Sequence, residues 1–179
     1  FELEPVAAAH YYESGLDHDE LILIGDFGGG TSDFSLIHAG PSIRRRGRTP
    51  KDLLGNAGLG LAGDAFDAKI VRHLVSPALG AGTEMRSMHK LLRVLNWVYA
   101  KLERWHHLSF LKAGGVMNML RSVRAQALEP EKIDALLRLI EEDLGYQLHR
   151  AVQRLKCDLS DGDTARFHFS GCGVDLDSL

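Results

Sequence analysis

A run of three glycines at residues 28–30 separates two short apolar segments, at residues 21–24 and 34–37. Apolar segments of this length joined by a glycine-rich turn predict a β-hairpin. The unbroken first segment is typical of a strand that is covered on both faces. An ordinary hairpin turn needs only one or two glycines. The third glycine therefore requires a further explanation.

The residues on either side of the turn favour a metal-bound phosphate as that explanation. Backbone without side chains can direct several N–H groups at one anion, and Thr31 adds a hydroxyl donor. Asp26 and Asp33 cannot bind phosphate themselves, but carboxylates are ligands for hard divalent cations, and one carboxylate can orient an attacking water. The pattern DFGGGTSD thus predicts a phosphate-binding hairpin rather than a plain turn.

Other glycine motifs carry less weight. Residues 58–63 fit G-x-G-x-x-G, but a dinucleotide site requires a strand just before it, and residues 49–57 predict no convincing strand. A loop before a helix that begins near Asp64 is favoured, and the N-terminus of such a helix can face a nucleotide. Residues 112–116 predict only a helix break. The partner motifs of protein kinases are missing, and no lysine-bearing Walker loop is present.

The rest of the chain predicts a mixed α/β fold with a mostly helical second part. The first part, residues 1–61, is a β-rich phosphate-binding subdomain, and residues 62–179 form a helical subdomain with a β tail. The individual predictions are a helix at 4–14, an edge strand at 42–46, a long buried helix at 84–107, one amphipathic helix at 129–160 and a strand at 165–169.

Composition restricts the partners. The net charge of −3 and pI of about 6.3 give no general attraction to nucleic acid or an anionic membrane. The basic run at residues 43–48 predicts a solvated loop or hairpin edge, and no apolar stretch approaches the roughly 20 residues of a bilayer span. The two cysteines, Cys157 and Cys172, favour inert thiols and a cytoplasmic location. Because the chain starts at Phe1 and ends abruptly, we expect a longer protein.

Histidine and tryptophan residues add no metal or catalytic motif. The nine histidines show no metal-ligand spacing, and His106 and His107 are expected at the surface or half buried. Trp97 and Trp105 lie about two helical turns apart, which favours a place in the core of the helical subdomain. An exposed patch for a partner is the alternative for this pair.

The order of the motifs resembles the heat-shock-protein-70 (DnaK) chaperones of the actin-like ATPase superfamily. The series is EPVAAA, IGDFGGGTSDFSLI, GLAGDAFDAKIV and a helix that ends in RLKCDLS. The stretches LLGNAGLGLAGDAFD and EPEKIDALLRLIEEDLGYQLHR look closer to divergent YegD-type chaperone homologues. The resemblance implies part of an actin-like ATPase (ribonuclease H-like) fold, the second lobe with its mostly helical subdomain.

The resemblance also implies a role for each matching residue. The catalytic group around the phosphates would comprise Asp26, Thr31 and Asp33, with Asp33 positioning water or K⁺. Magnesium would be held, through water, by Glu4 and Asp26. The β- and γ-phosphates of ATP or ADP would lie against Gly28, Gly29, Gly30 and Thr31. The nucleoside would lie near Gly63 and Asp64, and ribose and adenine would contact Lys156 and Ser160.

Two positions depart from the family pattern. Gln153 replaces a glutamate, and Cys157 replaces an arginine that stacks on adenine. A lost cation–π contact of about 0.5–2 kcal/mol implies weaker nucleotide binding or looser base choice. The amino-terminal phosphate loop, the lobe with the catalytic lysine and the late adenosine motif have no counterpart in these 179 residues, so hydrolysis by this chain alone is not expected.

The implied function is that of an ATP-binding segment in a chaperone-type ATPase. In the full-length protein, an ATP hydrolase, hydrolysis would be coupled to lobe closure and protein folding. The implied partners are the remaining ATPase lobe and a substrate-binding domain or co-chaperone. Two alternatives stay open: a sugar kinase or exopolyphosphatase relative, and a non-hydrolysing actin-like scaffold.

Overall fold

The computed structural model describes residues 4–171 and 173–178. The chain separates into two compact units, Phe1–Ala65 and Phe66–Leu179, whereas the sequence placed the boundary at residues 61/62. A helix content of 53% and a strand content of 24% confirm the predicted mixed α/β class. The strands of the described residues form one three-stranded and two two-stranded antiparallel sheets.

The predicted hairpin is the centre of the first unit. Strand β1 (Glu20–Phe27) pairs antiparallel with β2 (Ser32–Ala39), and β2 pairs with β3 (Leu53–Leu59). The predicted first helix is confirmed as α1 (Glu4–Glu13). Its buried residues Val6 and Ala9 form a small core with side chains of the sheet, namely Ile22, Ile24, Ile37 and Leu53.

Strand β1 is an edge of this sheet and is less covered than its sequence predicted. In the order β1-β2-β3, the described strands pair with only one side of β1. Alternate residues are half buried, but Leu21 and Leu23 on the other face are 49% and 67% exposed. The prediction of a strand covered on both faces is therefore wrong for the described residues.

The segment after the hairpin corrects two further predictions. Residues 42–46 belong to a short helix, α2 (Pro41–Arg46), because Pro41 suits the first helical turn and the Ser42 amide bonds to Asp19 at 2.9 Å. Strand β3 occurs where the sequence predicted none. Its glycines have low strand propensity, and its pairing with β2 outweighs that local preference.

Asp52, in a 3₁₀ turn (Pro50–Asp52), fixes the entry into β3. Its buried carboxylate accepts hydrogen bonds from the Arg46 guanidinium at 3.0 Å and from the Thr49 amide at 2.7 Å. The Arg46 guanidinium, helped by the Thr49 amide, holds the pKa of Asp52 well below its usual range.

The second unit contains most of the helices and two hairpins. Helix α3 (Gly63–Ile70) enters it from the first unit and continues as a π-helical turn (Val71–Val75) and a short helix, α4 (Ser76–Ala78). The following elements are β4 (Glu84–Ser87), β5 (Lys90–Arg93), α5 (Asn96–Leu102), a 3₁₀ segment (Trp105–Lys112), α6 (Gly114–Gln126), α7 (Pro130–Glu141), α8 (Gly145–Asp161), β6 (Phe167–Gly171) and β7 (Val174–Ser178). Leucine, isoleucine, valine and phenylalanine side chains from these elements form its core.

Two long helices predicted from the sequence are wrong. Residues 84–107 form the β4–β5 hairpin and then α5, and the turn of the hairpin places Met88 in a left-handed conformation with φ of 49°. The amphipathic helix predicted at 129–160 is divided into α7 and α8, with Asp143 between them at φ of 58°. Gly114 and Gly115 begin α6 instead of breaking a helix.

Several single-residue predictions can be compared with the structure. The predicted strand near residue 165 is confirmed as β6, with Phe167 and Phe169 both buried. His106 is exposed and His107 is half buried, as expected. Trp97 is 44% exposed, so its assignment to the core is wrong. The Trp105 side chain and all of Cys172 lie outside the described structure.

No helix in the described part of the chain combines the length and apolar character needed to cross a membrane.

We predict that Asp52→Asn lowers the free energy of unfolding by about 1–3 kcal/mol at pH 7, because it removes a charge-assisted hydrogen-bond set. Since the folded pKa of Asp52 is depressed, its contribution is complete above the unfolded value of about 4 and is lost as the pH falls toward the folded pKa. Urea unfolding of both proteins at pH 7 and pH 3 measures the difference.

Asp175→Asn is the control, since Asp175 is exposed on β7. A difference between the wild type and Asp52→Asn that stays the same at both pH values would contradict this role of Asp52.

Candidate functional site

The glycine turn between β1 and β2 does not need left-handed backbone. The glycines with positive φ are elsewhere in the described chain, at positions 40, 47, 80, 82 and 173. A Cβ on Gly28 would lie 3.3 Å from the Thr31 carbonyl oxygen, and a Cβ on Gly29 would lie 3.2 Å from Asp64 Oδ1. A Cβ on Gly30 would meet nothing within 4 Å. No contact with the described residues therefore explains the missing side chain at Gly30.

Backbone hydrogen bonds orient the peptide groups of the turn. The amides of Gly63 and Asp64, at the start of α3, donate to the carbonyls of Gly28 and Gly29 at 3.2 and 2.8 Å. In a planar trans peptide the N–H points opposite to the C=O. The amides of Gly29 and Gly30 therefore point away from the first turn of α3. The first two amides of α3 are themselves used within the protein.

Three amides of the turn remain available to a ligand. The Gly28 amide is not among them, because it donates to the Thr31 carbonyl at 2.9 Å. Within the described residues, no hydrogen bond is found from the amides of Gly29, Gly30 and Thr31. All four residues of the turn are exposed. Of the four residues predicted to lie against the phosphates, three therefore offer a backbone N–H donor.

Asp26 and Asp33 stand directly opposite each other at the end of the hairpin. They are register partners on β1 and β2, so their side chains share one face of the sheet with Cβ atoms about 4.5–5.5 Å apart. Both residues are half buried. Like charges in this position destabilise a sheet. A cation between the two carboxylates would relieve the repulsion.

Gly58 makes room for Asp33. It is the register partner of Asp33 on β3, and a Cβ there would lie 2.5 Å from Asp33 Oδ1. The first glycine of the G-x-G-x-x-G pattern thus accommodates a carboxylate within an antiparallel sheet. This position does not fit the dinucleotide motif, which opens the helix of a βαβ unit.

Asp64 adds a third carboxylate at the turn. Its Oδ1 lies 3.2 Å from the position that a Cβ of Gly29 would take, and its side chain is exposed. The resemblance implied a place near the nucleoside for Gly63 and Asp64. The structure places both residues against the glycine turn, with Gly63 contributing its backbone amide.

Glu4 lies at the far end of α1 from the start of β1. A hydrogen bond with Glu20, at the start of β1, raises the pKa of Tyr12, near the C-terminal end of α1. Glu4 is about 12 Å from Tyr12 along the helix axis and is exposed.

Among the described residues, no group of three His, Cys, Asp or Glu side chains could hold a metal ion. One or two carboxylates and several waters is the arrangement that magnesium prefers in proteins.

Lys156 and Ser160 belong to α8 in the second unit. Lys156 Nζ lies 2.7 Å from Oδ1 of the buried Asp67, and the Ser160 hydroxyl donates to the Lys156 carbonyl at 3.1 Å. Both predicted nucleoside ligands therefore have partners within this unit. Gln153 and Cys157 are exposed on the same helix.

Sequence reasoning missed the roles of Asp67 and Ser32. Asp67 is the ion-pair partner of Lys156. It is three residues after Asp64 in GDAFD, one helical turn further along α3, and this spacing could have indicated a second functional carboxylate on the helix. The hydroxyl of Ser32, which is buried, donates to the Leu61 carbonyl at 2.7 Å and holds the segment before α3 against β2.

No protein-family model matches the chain.

We predict that Gly58→Ala is less stable than Gly55→Ala by at least about 1 kcal/mol, since its Cβ would overlap Asp33. Gly55 is the matched control because it lies on the same strand and a Cβ there meets nothing within 4 Å. Urea unfolding measures the difference. In an Asp33→Ala background the two variants should become equally stable. A difference that persists there would mean that Gly58 does not serve Asp33.

Proposed function

We propose that the chain is an ATP-binding segment of a chaperone-type ATPase with an actin-like fold, and that the β1–β2 turn binds the phosphates of Mg-ATP. The observation that carries the proposal is Gly30. Its side chain is absent although none of the described residues approaches that position, and its amide is one of three without an acceptor among them. Close approach of a ligand to the backbone explains both facts.

The carboxylates around the turn support a cation as part of the ligand. Asp26, Asp33 and Asp64 would repel a bare phosphate from the amides of the turn. A divalent cation satisfies the carboxylates and phosphate oxygens at once. When bound, magnesium would neutralise part of the negative charge of the phosphates. Asp26 would hold its water shell, with Glu4 contributing from the end of α1.

The chain's own residues then have separate tasks. The amides of Gly29, Gly30 and Thr31 would bind and orient the phosphates, and the Thr31 hydroxyl would add a donor. The carboxylate of Asp33, which packs against Gly58, would orient a water molecule or a K⁺ ion. Catalysis of this kind depends on positioning and charge, so the second ATPase lobe would be needed to complete the site.

Of the residues implied for the nucleoside, Lys156 and Ser160 belong to α8. Lys156 would have to share its ammonium between Asp67 and ribose. Ser160 would contact adenine, and Cys157 would leave adenine without the stacking arginine of the family pattern. In the full-length protein, nucleotide-dependent closure would act on a substrate-binding domain or co-chaperone. A non-hydrolysing scaffold is the second candidate, and the 2.7 Å Lys156–Asp67 pair favours it, since it leaves the lysine engaged before any nucleotide binds.

We predict that Gly30→Ala weakens Mg-ATP binding by at least about tenfold, roughly 1.4 kcal/mol, because a methyl group would occupy the space of the phosphate. The thermal midpoint of unfolding should not fall, since the space is open in the protein itself. Isothermal calorimetry with Mg-ATP and Mg-ADP measures the binding, and Gly55→Ala is the control.

Equal binding by Gly30→Ala and the wild type would contradict the phosphate site. Absence of heat with either nucleotide, in the wild-type protein, would leave only the scaffold. In the full-length protein, ADP release stimulated by a sugar would favour a kinase, and refolding of a denatured client would favour the chaperone.

We predict that Asp26→Asn stabilises the metal-free protein by about 0.2–1 kcal/mol, because it removes the repulsion across the β1–β2 pair. Mg²⁺ with ATP should stabilise the wild type by mass action but should have little effect on the variant. Urea unfolding with and without Mg-ATP measures both changes, with Asp175→Asn as the control for loss of one negative charge. A less stable metal-free Asp26→Asn would show that the carboxylate serves the fold instead.

A further inference from the structure

A cavity of about 350 Å³ lies within the second unit and has no role in the proposed phosphate site. Its walls are aliphatic, with Ile70 and Leu74 on one side and Leu155 and Leu159 of α8 on the other. Phe167 of β6 lies at its base. The remaining lining residues are Asp163, Thr164 and Ala165. We refer to this feature as the Leu159 cavity.

The apolar wall of the Leu159 cavity continues onto the protein surface. Leu155 and Phe167 are 5% and 2% exposed, so the floor is part of the core, whereas Leu159 is 44% exposed. Leu155 and Leu159 are four residues apart on one face of α8. The volume is at the low end for ligand pockets and suits one or two aliphatic side chains rather than a cofactor.

The rim of the cavity is negatively charged. Asp163 is the one charged residue among the described residues that line it, and α8 ends just before it at Asp161 with no basic residue in its last turn. The C-terminal end of a helix carries partial negative charge, so acidic residues there are unfavourable unless a cation is close. No ion pair to Asp161 or Asp163 is found in the described part of the chain.

Two basic side chains near this rim have carboxylate partners elsewhere in the unit. The Lys156 ammonium is paired with Asp67 at 2.7 Å. The Arg166 guanidinium is bonded to Asp177, with an Nε–Oδ1 distance of 2.8 Å. Asp161 and Asp163, which form no ion pair among the described residues, therefore place negative charge beside an exposed apolar wall. An aliphatic group next to a positive charge is the complementary ligand.

We propose that the Leu159 cavity is a docking site for a basic amphipathic segment of a partner protein. The segment inserts a leucine-like side chain between Leu74 and Leu159 and places a lysine or arginine beside Asp161 and Asp163. A helix that presents apolar anchors one turn apart fits such a groove. This docking needs no nucleotide and does not depend on the proposed phosphate site.

The test uses two fluorescein-labelled peptides of about 12 residues, roughly three helical turns. One carries leucines at helical spacing flanked by lysines, and the other has glutamate in place of each lysine. Fluorescence anisotropy measures their binding to the 179-residue chain without nucleotide. We expect saturable binding of the basic peptide, at least about tenfold weaker binding of the acidic one, and a loss of affinity at high salt.

Leu159→Ser and Asp163→Asn should each weaken binding of the basic peptide at least about fivefold. Leu128→Ser is the matched control, because Leu128 is equally exposed, at 43% against 44%, but does not line the cavity. Circular dichroism and the thermal midpoint establish that each variant is folded. We expect the Leu128→Ser protein to bind as the wild type does.

Three results would overturn the proposal. One is the absence of saturable binding by the wild type, and another is equal weakening by Leu159→Ser and Leu128→Ser. The third is concentration-dependent dimerisation in sedimentation experiments that Leu159→Ser abolishes, which would assign the cavity to a second copy of this chain.

Discussion

The hydrogen bonds from the first two amides of α3 to the carbonyls of Gly28 and Gly29 determine what the hairpin can do. They hold the turn against α3 and fix the direction of two peptide planes. Because the carbonyls are turned toward α3, the amides of Gly29 and Gly30 are presented on the opposite side. The same contacts bring Asp64 against Gly29. These two hydrogen bonds thus arrange donors and a carboxylate around one turn.

The sequence predicted the parts of this site that depend on neighbouring residues. Two apolar runs and a glycine turn were enough to predict β1 and β2, with Asp26 and Asp33 on either side of the turn. The individual purpose of each glycine could not be predicted. Gly58 accommodates the Asp33 side chain and Gly29 accommodates that of Asp64, and both contacts depend on how distant segments pack.

The errors in the helical unit have a similar cause. Residues 84–107 are rich in leucine, tryptophan and methionine at three- and four-residue spacing, which predicts a helix, yet a left-handed Met88 reverses the chain there. At the start of α8, a Cβ on Gly145 would lie 2.0 Å from Leu108 Cδ1. The break between α7 and α8 therefore coincides with a tight packing contact. Periodicity along the sequence carries no information on a contact between residues so far apart.

The unpaired side of β1 has a consequence for the behaviour of the chain in solution. Within the described residues no strand pairs with its outer backbone donors and acceptors, and no lysine, proline or bulge in β1 protects them. Edges of this kind, with Leu21 and Leu23 exposed beside them, are templates for strand addition between molecules. Concentrated preparations are therefore expected to be prone to edge-to-edge aggregation, and a lysine at position 21 or 23 is the most direct means of improving solubility.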